Sequence, residues 1–270
     1  MKESWHADRA GGWVSYWKKE PHDPSAPYIS TTCTELSGAA RSEIDVDVAL
    51  EREIALILNG IHIATLPALP VELHELAVGF LLCEGIIEKV ADVHSVQIRH
   101  DTAVCDASPS CNIEQWMSAH KRSGPTWDEV APTTSSATMD GDVLLSCVEM
   151  LKKGAVLWRR AGGTHSSMVC THAGDVVAFC EDVSRMSSVD RAVGKALFSE
   201  VKLHECALIT TGRLSGTMVA KAARAKIPIV ASKAAPLSCG VELARRMNMT
   251  LVGFARSPNL YVYAAEQRII

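Results

Sequence analysis

The stretch Cys206-Ala207-Leu208-Ile209-Thr210-Thr211-Gly212-Arg213-Leu214-Ser215 leads through residues 216–226 into Ile227-Pro228-Ile229-Val230-Ala231-Ser232-Lys233-Ala234-Ala235-Pro236. Two short apolar runs flank a segment with helical spacing. An apolar run without polar alternation is buried on both faces, and strand–helix–strand succession predicts a mainly parallel sheet covered by helices. Downstream, residues 236–247 read as a helix, and 250–254 and 260–263 as strands. Upstream, 143–153 and 189–198 read as helices, and 167–171 and 176–180 as strands joined at Ala173-Gly174-Asp175. The expected fold class is α/β, with a three-layer α/β/α domain over residues 140–270.

The N-terminal half has another texture. Ile54 to Leu58 and Ile61 to Leu66 flank Asn59-Gly60, a strong hairpin signal because both turn residues tolerate positive φ. A helix is expected over 71–83, closed by Gly85, and a strand over 93–99. Ile44, Val46 and Val48 alternate with Asp45, Asp47 and Ala49, a half-buried strand pattern. Residues 41–101 are therefore expected to form a smaller β-rich domain. Residues 1–40 carry three tryptophans among prolines and hydroxyl residues and read as an irregular arm. Residues 102–139 lose all periodicity and read as a long interdomain loop.

Composition narrows the function. The chain has 270 residues, 47% hydrophobic and 21% charged, with a net charge of −4. This is globular composition with no general attraction to nucleic acid. No apolar run is long enough to span a bilayer, and Met1 to His6 does not open a signal peptide. Nine cysteines at irregular spacings in a chain of this length suggest reduced thiols and a cytoplasmic location. There is no Cys-x-x-Cys and no zinc deaminase signature, so no metal site is expected. Cys105 and Cys111 could meet across a turn; Cys147, Cys170, Cys180 and Cys206 read as core thiols.

In an open α/β sheet, ligands lie beyond the carboxyl ends of the strands. Three such turns here share one chemistry: 210–215, 232–238 and 255–259, each with a cation, Arg213, Lys233 or Arg256. Each alone reads equally as ordinary caps and turns. Three in succession point to a phosphate or diphosphate site. Thr164 and His165 follow paired glycines that let backbone approach a ligand, or form a tight turn with a packed histidine. Residues Glu181-Asp182-Val183-Ser184-Arg185 read as a capped helix start or as part of that site.

The chain resembles the formate dehydrogenase accessory protein (FdhD) family. The resemblance rests on residues 73–87 (LHELAVGFLLCEGII), then Gly163-Thr164-His165-Ser166-Ser167, Glu181-Asp182-Val183 and Thr211-Gly212-Arg213. Residues 222–228, Ser232-Lys233-Ala234-Ala235-Pro236, Leu251-Val252-Gly253-Phe254 and Val262-Tyr263 follow in the family's order. The resemblance implies a cytidine-deaminase-like C-terminal domain without zinc, and a homodimer. It implies a sulfur carrier: a loop persulfide, loaded by a cysteine desulfurase, passes sulfur to the molybdenum bis(molybdopterin guanine dinucleotide) cofactor before insertion into formate dehydrogenase. GDP is the expected mimic of that bound substrate. The family's cofactor stretch maps onto Phe254, Ala255, Arg256, Ser257, Pro258 and Asn259, joined by Thr211, Gly212, Arg213, Lys233, Thr164, His165, Asp182 and Arg185.

Two departures stand out. The family's interdomain Cys-x-x-Cys corresponds to residues 122–129, which hold no cysteine. The family's Gly-Arg-His-Asn-Ala is here Ser184-Arg185-Met186-Ser187-Ser188. Three readings stay open: Cys105 or Cys111 has taken over the sulfur, the chain binds cofactor as a chaperone without carrying sulfur, or it holds another guanine-nucleotide-like ligand.

Overall fold

A computed structural model describes residues 26–123, 131–199 and 201–270. β1 (Tyr28–Ser37) and β2 (Ala40–Ala49) form a two-stranded antiparallel ribbon. The irregular arm expected through residue 40 is thus corrected from Tyr28 onward. Thr31, Thr32 and Thr34 favour extended backbone without an apolar alternation to betray it. Gly38, at φ 61, supplies the left-handed turn. Ser30 and Thr32 donate across the ribbon to Asp47 (2.5 Å) and Asp45 (2.8 Å). The ribbon projects into solvent, so the Ile44–Val48 strand exists but covers no core.

β3 (Arg52–Leu58), β4 (Ile61–Ala68), β5 (Val93–Arg99) and β6 (Thr102–Ala107) form a four-stranded sheet in the order β4-β3-β6-β5. Asn59 and Gly60 both take positive φ at the β3–β4 hairpin, as expected. β6 corrects the loop expected from residue 102. It pairs parallel with β3 and antiparallel with β5. Its inward side chains are Ala103, Cys105 and Ala107, too small to mark a strand by hydrophobicity. A further helix, which we label after α1 (Leu73–Cys83) as α2 (Ile113–Ser123), lies in the same segment. The candidate loop at 122–129 falls mostly outside the described residues.

α1 is buried on almost every side. It packs the small sheet against the large one, so a single apolar cluster runs from Ile54 and Leu56 through Leu76 and Phe80 to Val193 and Leu208. α1 crosses the later helix α5 (Arg185–Leu197), where Gly79 meets Gly194 backbone to backbone.

The C-terminal region contains α3 (Gly141–Gly154), α4 (Val156–Ala161), β7 (His165–Thr171), β8 (Val176–Asp182), α5 (Arg185–Leu197), β9 (Cys206–Thr210), α6 (Gly216–Arg224), β10 (Ile229–Ser232), α7 (Ser238–Arg246), β11 (Thr250–Arg256) and β12 (Asn259–Ala264). The six-stranded sheet has the order β12-β11-β10-β9-β7-β8. α3 packs on one face through Leu144, Cys147 and Leu151, and α5 and α6 on the other. This is the expected three-layer α/β/α arrangement. One expectation is corrected: the sheet is mixed. β8, β9, β10 and β11 run in one direction, whereas β7 and β12 are reversed. β7 and β8 are joined by a tight turn, and β12 returns by another, so neither needs a crossover helix. Among the described residues, no helix is long and apolar enough to cross a membrane.

Candidate functional site

The reversed strands decide what meets at the carboxyl ends of β9, β10 and β11. Because β7 is antiparallel to β9, its start at His165 lies there, beside Thr211. β8 ends at the same pole with Asp182, opposite His165. The β11–β12 turn at Ser257 and Pro258 lies there too. Five loops therefore share one end of the sheet.

Their backbones are tied together. Ser232 Oγ donates to the Gly212 carbonyl at 2.7 Å and accepts from Ala234 N at 3.0 Å. Leu214 N donates to the Ala235 carbonyl at 3.1 Å, and Phe254 N to the Ala234 carbonyl at 3.1 Å. Arg256 Nε reaches the Lys233 carbonyl at 3.3 Å. On the other side, Thr211 Oγ1 accepts from Ser166 N at 3.0 Å and meets His165 Nδ1 at 3.1 Å. Under the first turn, Ser167 Oγ bridges Ser188 Oγ (2.8 Å) and Thr210 Oγ1 (3.0 Å). Sequence reasoning named Thr211 and placed Thr210 and Ser232 in the candidate turns but missed Ser167 and Ser188; the signal for Ser167 was a polar residue at the end of an apolar strand.

The three turns thus adjoin, and Arg213 and Lys233 from two of them lie on the side of His165, together with Arg185 from the start of α5. His165 titrates below the usual histidine range, first because it is half buried and then because Arg185, Lys233 and Arg213 face it. A neutral imidazole among three cations makes this pole of the sheet electropositive. Arg185 packs so close to Gly212 that a Cβ there would lie 3.0 Å from Arg185 Cβ. Arg185 Nε is buried without a hydrogen-bond partner among the described residues. An orphaned cationic donor suits an anion.

Proton linkage follows. An anion bound here offsets the three cations and lets the His165 pKa rise. Affinity for an anionic ligand is then expected to increase as pH falls from 7.5 towards 5.5 on the order of threefold or more, with proton uptake. Calorimetry of a phosphate ligand in buffers of different ionisation enthalpy checks this. A His165→Gln chain should lose the dependence.

Other expected residues lie differently. Thr164 is buried, its hydroxyl donating to Glu181 Oε1 at 3.1 Å. Ala255 is fully buried, so it offers no side-chain contact to a ligand. Phe254 is 39% exposed, with φ 49, and meets Tyr261 edge-on at 6.0 Å. Asp182 is corrected as a ligand-contacting residue. It is fully buried, accepts from Leu69 N and Ser184 N, and pairs with the equally buried Arg191. Burial pushes its carboxyl up to about 6 against the pull of Arg191. Asp182 positions the start of α5, and hence Arg185; Ser184 Oγ caps that helix from outside.

The two candidate thiols do not join this cationic cluster. Cys105 points into the core of the small sheet, and burial pushes its pKa up to about 11. A sulfur-accepting thiol needs the opposite shift. Cys111 is half buried against the same cluster. Among the described cysteines, Cys33 and Cys239 are exposed. Cys33 lies on the ribbon. Cys239 lies in the first turn of α7, directly after the Lys233 turn.

Comparison with known proteins agrees with this architecture. The FdhD/NarQ family model matches residues 49–270. The sulfur carrier protein FdhD of Methanothermobacter thermautotrophicus is 32% identical over 237 residues, covering 85% of this chain and 94% of its own length. Its Wolinella succinogenes counterpart is 30% identical, covering 84% and 83%. A crystal structure of a Desulfotalea psychrophila protein, described as a formate dehydrogenase accessory protein, superimposes with a TM-score of 0.81 at 28% identity. It covers 91% of this chain and all of its own.

Proposed function

The chain belongs to the FdhD/NarQ family, and from that premise we propose that it is a sulfur carrier serving formate dehydrogenase, with the guanine dinucleotide form of the molybdenum cofactor as its bound substrate. The observation that supports this reading best is the buried Arg185 Nε, without a hydrogen-bond partner among the described residues, packed against Gly212 where the strand-end turns that carry Arg213 and Lys233 are tied together. Clustered cations of this kind hold a diphosphate without a metal. Phe254 and the Arg256–Asn259 turn flank it, and their exposed side chains face the same solvent.

Sulfur loading is a thiol exchange. The accepting thiolate attacks the terminal sulfur of the desulfurase persulfide, the old S–S bond breaks, and the desulfurase leaves as a thiolate. Cys239 is the thiol placed for it here, exposed and next to the cationic turns. A cysteine desulfurase, formate dehydrogenase and a second copy of this chain are the proposed partners. The cytoplasm, where thiols stay reduced, is the proposed location.

A second reading rests on the buried Cys105 and on the absence of paired cysteines at 122–129. In it the chain binds cofactor and passes it on without carrying sulfur. Desulfurase with cysteine is expected to add one sulfur to the chain, seen by mass spectrometry, and Cys239→Ser is expected to abolish it while Cys33→Ser and Cys111→Ser do not. A chain that takes up no sulfur leaves the second reading standing. GDP titration by calorimetry tests what both share: Arg213→Ala should weaken binding about tenfold, as losing a charged hydrogen bond does. Unchanged affinity would move the pocket elsewhere.

A further inference from the structure

Trp158 stands beside the Lys233 turn, outside every turn considered above. It is 50% exposed. The backbone beneath it is nonetheless held. Glu181, at the end of β8, accepts from Leu157 N at 2.8 Å and from Trp158 N at 2.9 Å, which pins the start of α4 to the sheet. Lys233, from the β10 turn, brings Nζ to 5.6 Å from the indole centroid. The same lysine is one of the cations that depress the His165 pKa, so the ring adjoins the cationic cluster. Gly162 and Gly163 follow α4, and a Cβ at either would meet nothing within 4 Å, so open space adjoins them.

A rigid, half-exposed indole beside an ammonium and phosphate-binding turns matches how nucleotides are held: the base stacks and the phosphate pairs. We propose that Trp158 is the stacking surface for the flat, fused nitrogen heterocycle of the ligand, the guanine or pterin ring, whose phosphates lie on Arg213 and Lys233. This rests on the nucleotide-binding reading and adds to it the residue that tells such a ligand from a bare phosphate. Lys233 then swaps the face of a neutral ring for a full phosphate charge, which is the stronger attraction. The paired glycines keep side chains out of the adjacent space.

Calorimetry on the full chain tests the idea with three probes: GDP, a pterin monophosphate and inorganic pyrophosphate. Trp158→Leu should weaken the ring-bearing probe that stacks there about tenfold and leave pyrophosphate unchanged. Trp158→Phe should restore most of the loss. A drop confined to GDP assigns the guanine ring; one confined to the pterin assigns that ring. If Trp158→Leu binds all three as the unaltered chain does, the inference is overturned while the phosphate site stands. If pyrophosphate falls in parallel, the indole merely supports the loop, and the inference is again overturned. If the unaltered chain binds none of the three, the nucleotide-binding reading fails and takes this inference with it.

Discussion

Gly79→Ala is expected to prevent stable folding, lowering stability by more than about 3 kcal/mol. On helix propensity alone the change should help, since alanine outranks glycine inside a helix by about 1 kcal/mol. Packing decides otherwise. A methyl at Gly79 would overlap the Asp190 carbonyl of α5, and one at Gly194 would overlap the Glu75 carbonyl of α1. Both obstacles are backbone, which cannot rotate aside. The helices would have to part, opening the seam that buries Leu76, Phe80, Val189 and Val193. That seam joins the two sheets. Urea unfolding followed by far-UV circular dichroism gives the answer. A midpoint equal to or above that of the unaltered chain would show that the crossing has slack.

Lys221→Met is expected to cost about 3–5 kcal/mol, the usual penalty for stranding a buried charge. Lys221 is 2% exposed, and Nζ lies 2.6 Å from Glu84 and 2.8 Å from Asp190. Burial opposes its charge, yet the two carboxylates outweigh burial and hold the ammonium protonated. Burial also pushes the Asp190 carboxyl up, with Lys221 pulling it back and Glu84 pushing further. Methionine fills the volume and removes the cation. Asp190 then has a native pKa raised further above its unfolded value near 4. The sign follows: the penalty is full above the native pKa and vanishes below the unfolded one. The thermal midpoint of Lys221→Met should therefore recover as pH is lowered from 7 towards 4. A deficit that stays constant over that range would assign the loss to packing instead. The cluster floors a cavity of about 350 Å³ between the small sheet and α5–α6, lined by Leu66, Phe80, Trp116 and Met186.

Long periodic elements were legible in the sequence, and so were turns with strong chemistry. α3, α5, β9 and the Asn59-Gly60 hairpin stand where the residue pattern places them, within a few positions. β1 and β6 were not legible, because threonine and alanine build strands without apolar contrast. Sheet polarity was missed for another reason. Apolar strands between helices imply parallel neighbours, and nothing local in Ser167 to Cys170 says that β7 runs backwards. At the site, the three turns were read from their cations and cap residues. The distinction between Arg185, which joins the cationic cluster, and Asp182, which is fully buried behind it, depends on the three-dimensional arrangement. The sequence shows neighbours in the chain, not which side of β8 they leave from. Cys105 was misjudged for the same reason: its neighbours Pro109 and Ser110 suggest a loop, while its own pairing is with Val96 and Leu58.

The mixed sheet also sorts the molecule into a working end and a handling end. The β7–β8 turn at Ala173, the approach to β9 at Lys202 and the approach to β10 at Lys226 all emerge far from His165, and all three residues are exposed. A linker fixed at Lys202, or at a cysteine introduced at Ala173, would anchor the chain to a sensor chip with its ligand-facing loops turned to the flow. Coupling through random lysines would engage Lys233 and obstruct the cationic turns. Orientation on a support is thereby set by the reversal of β7.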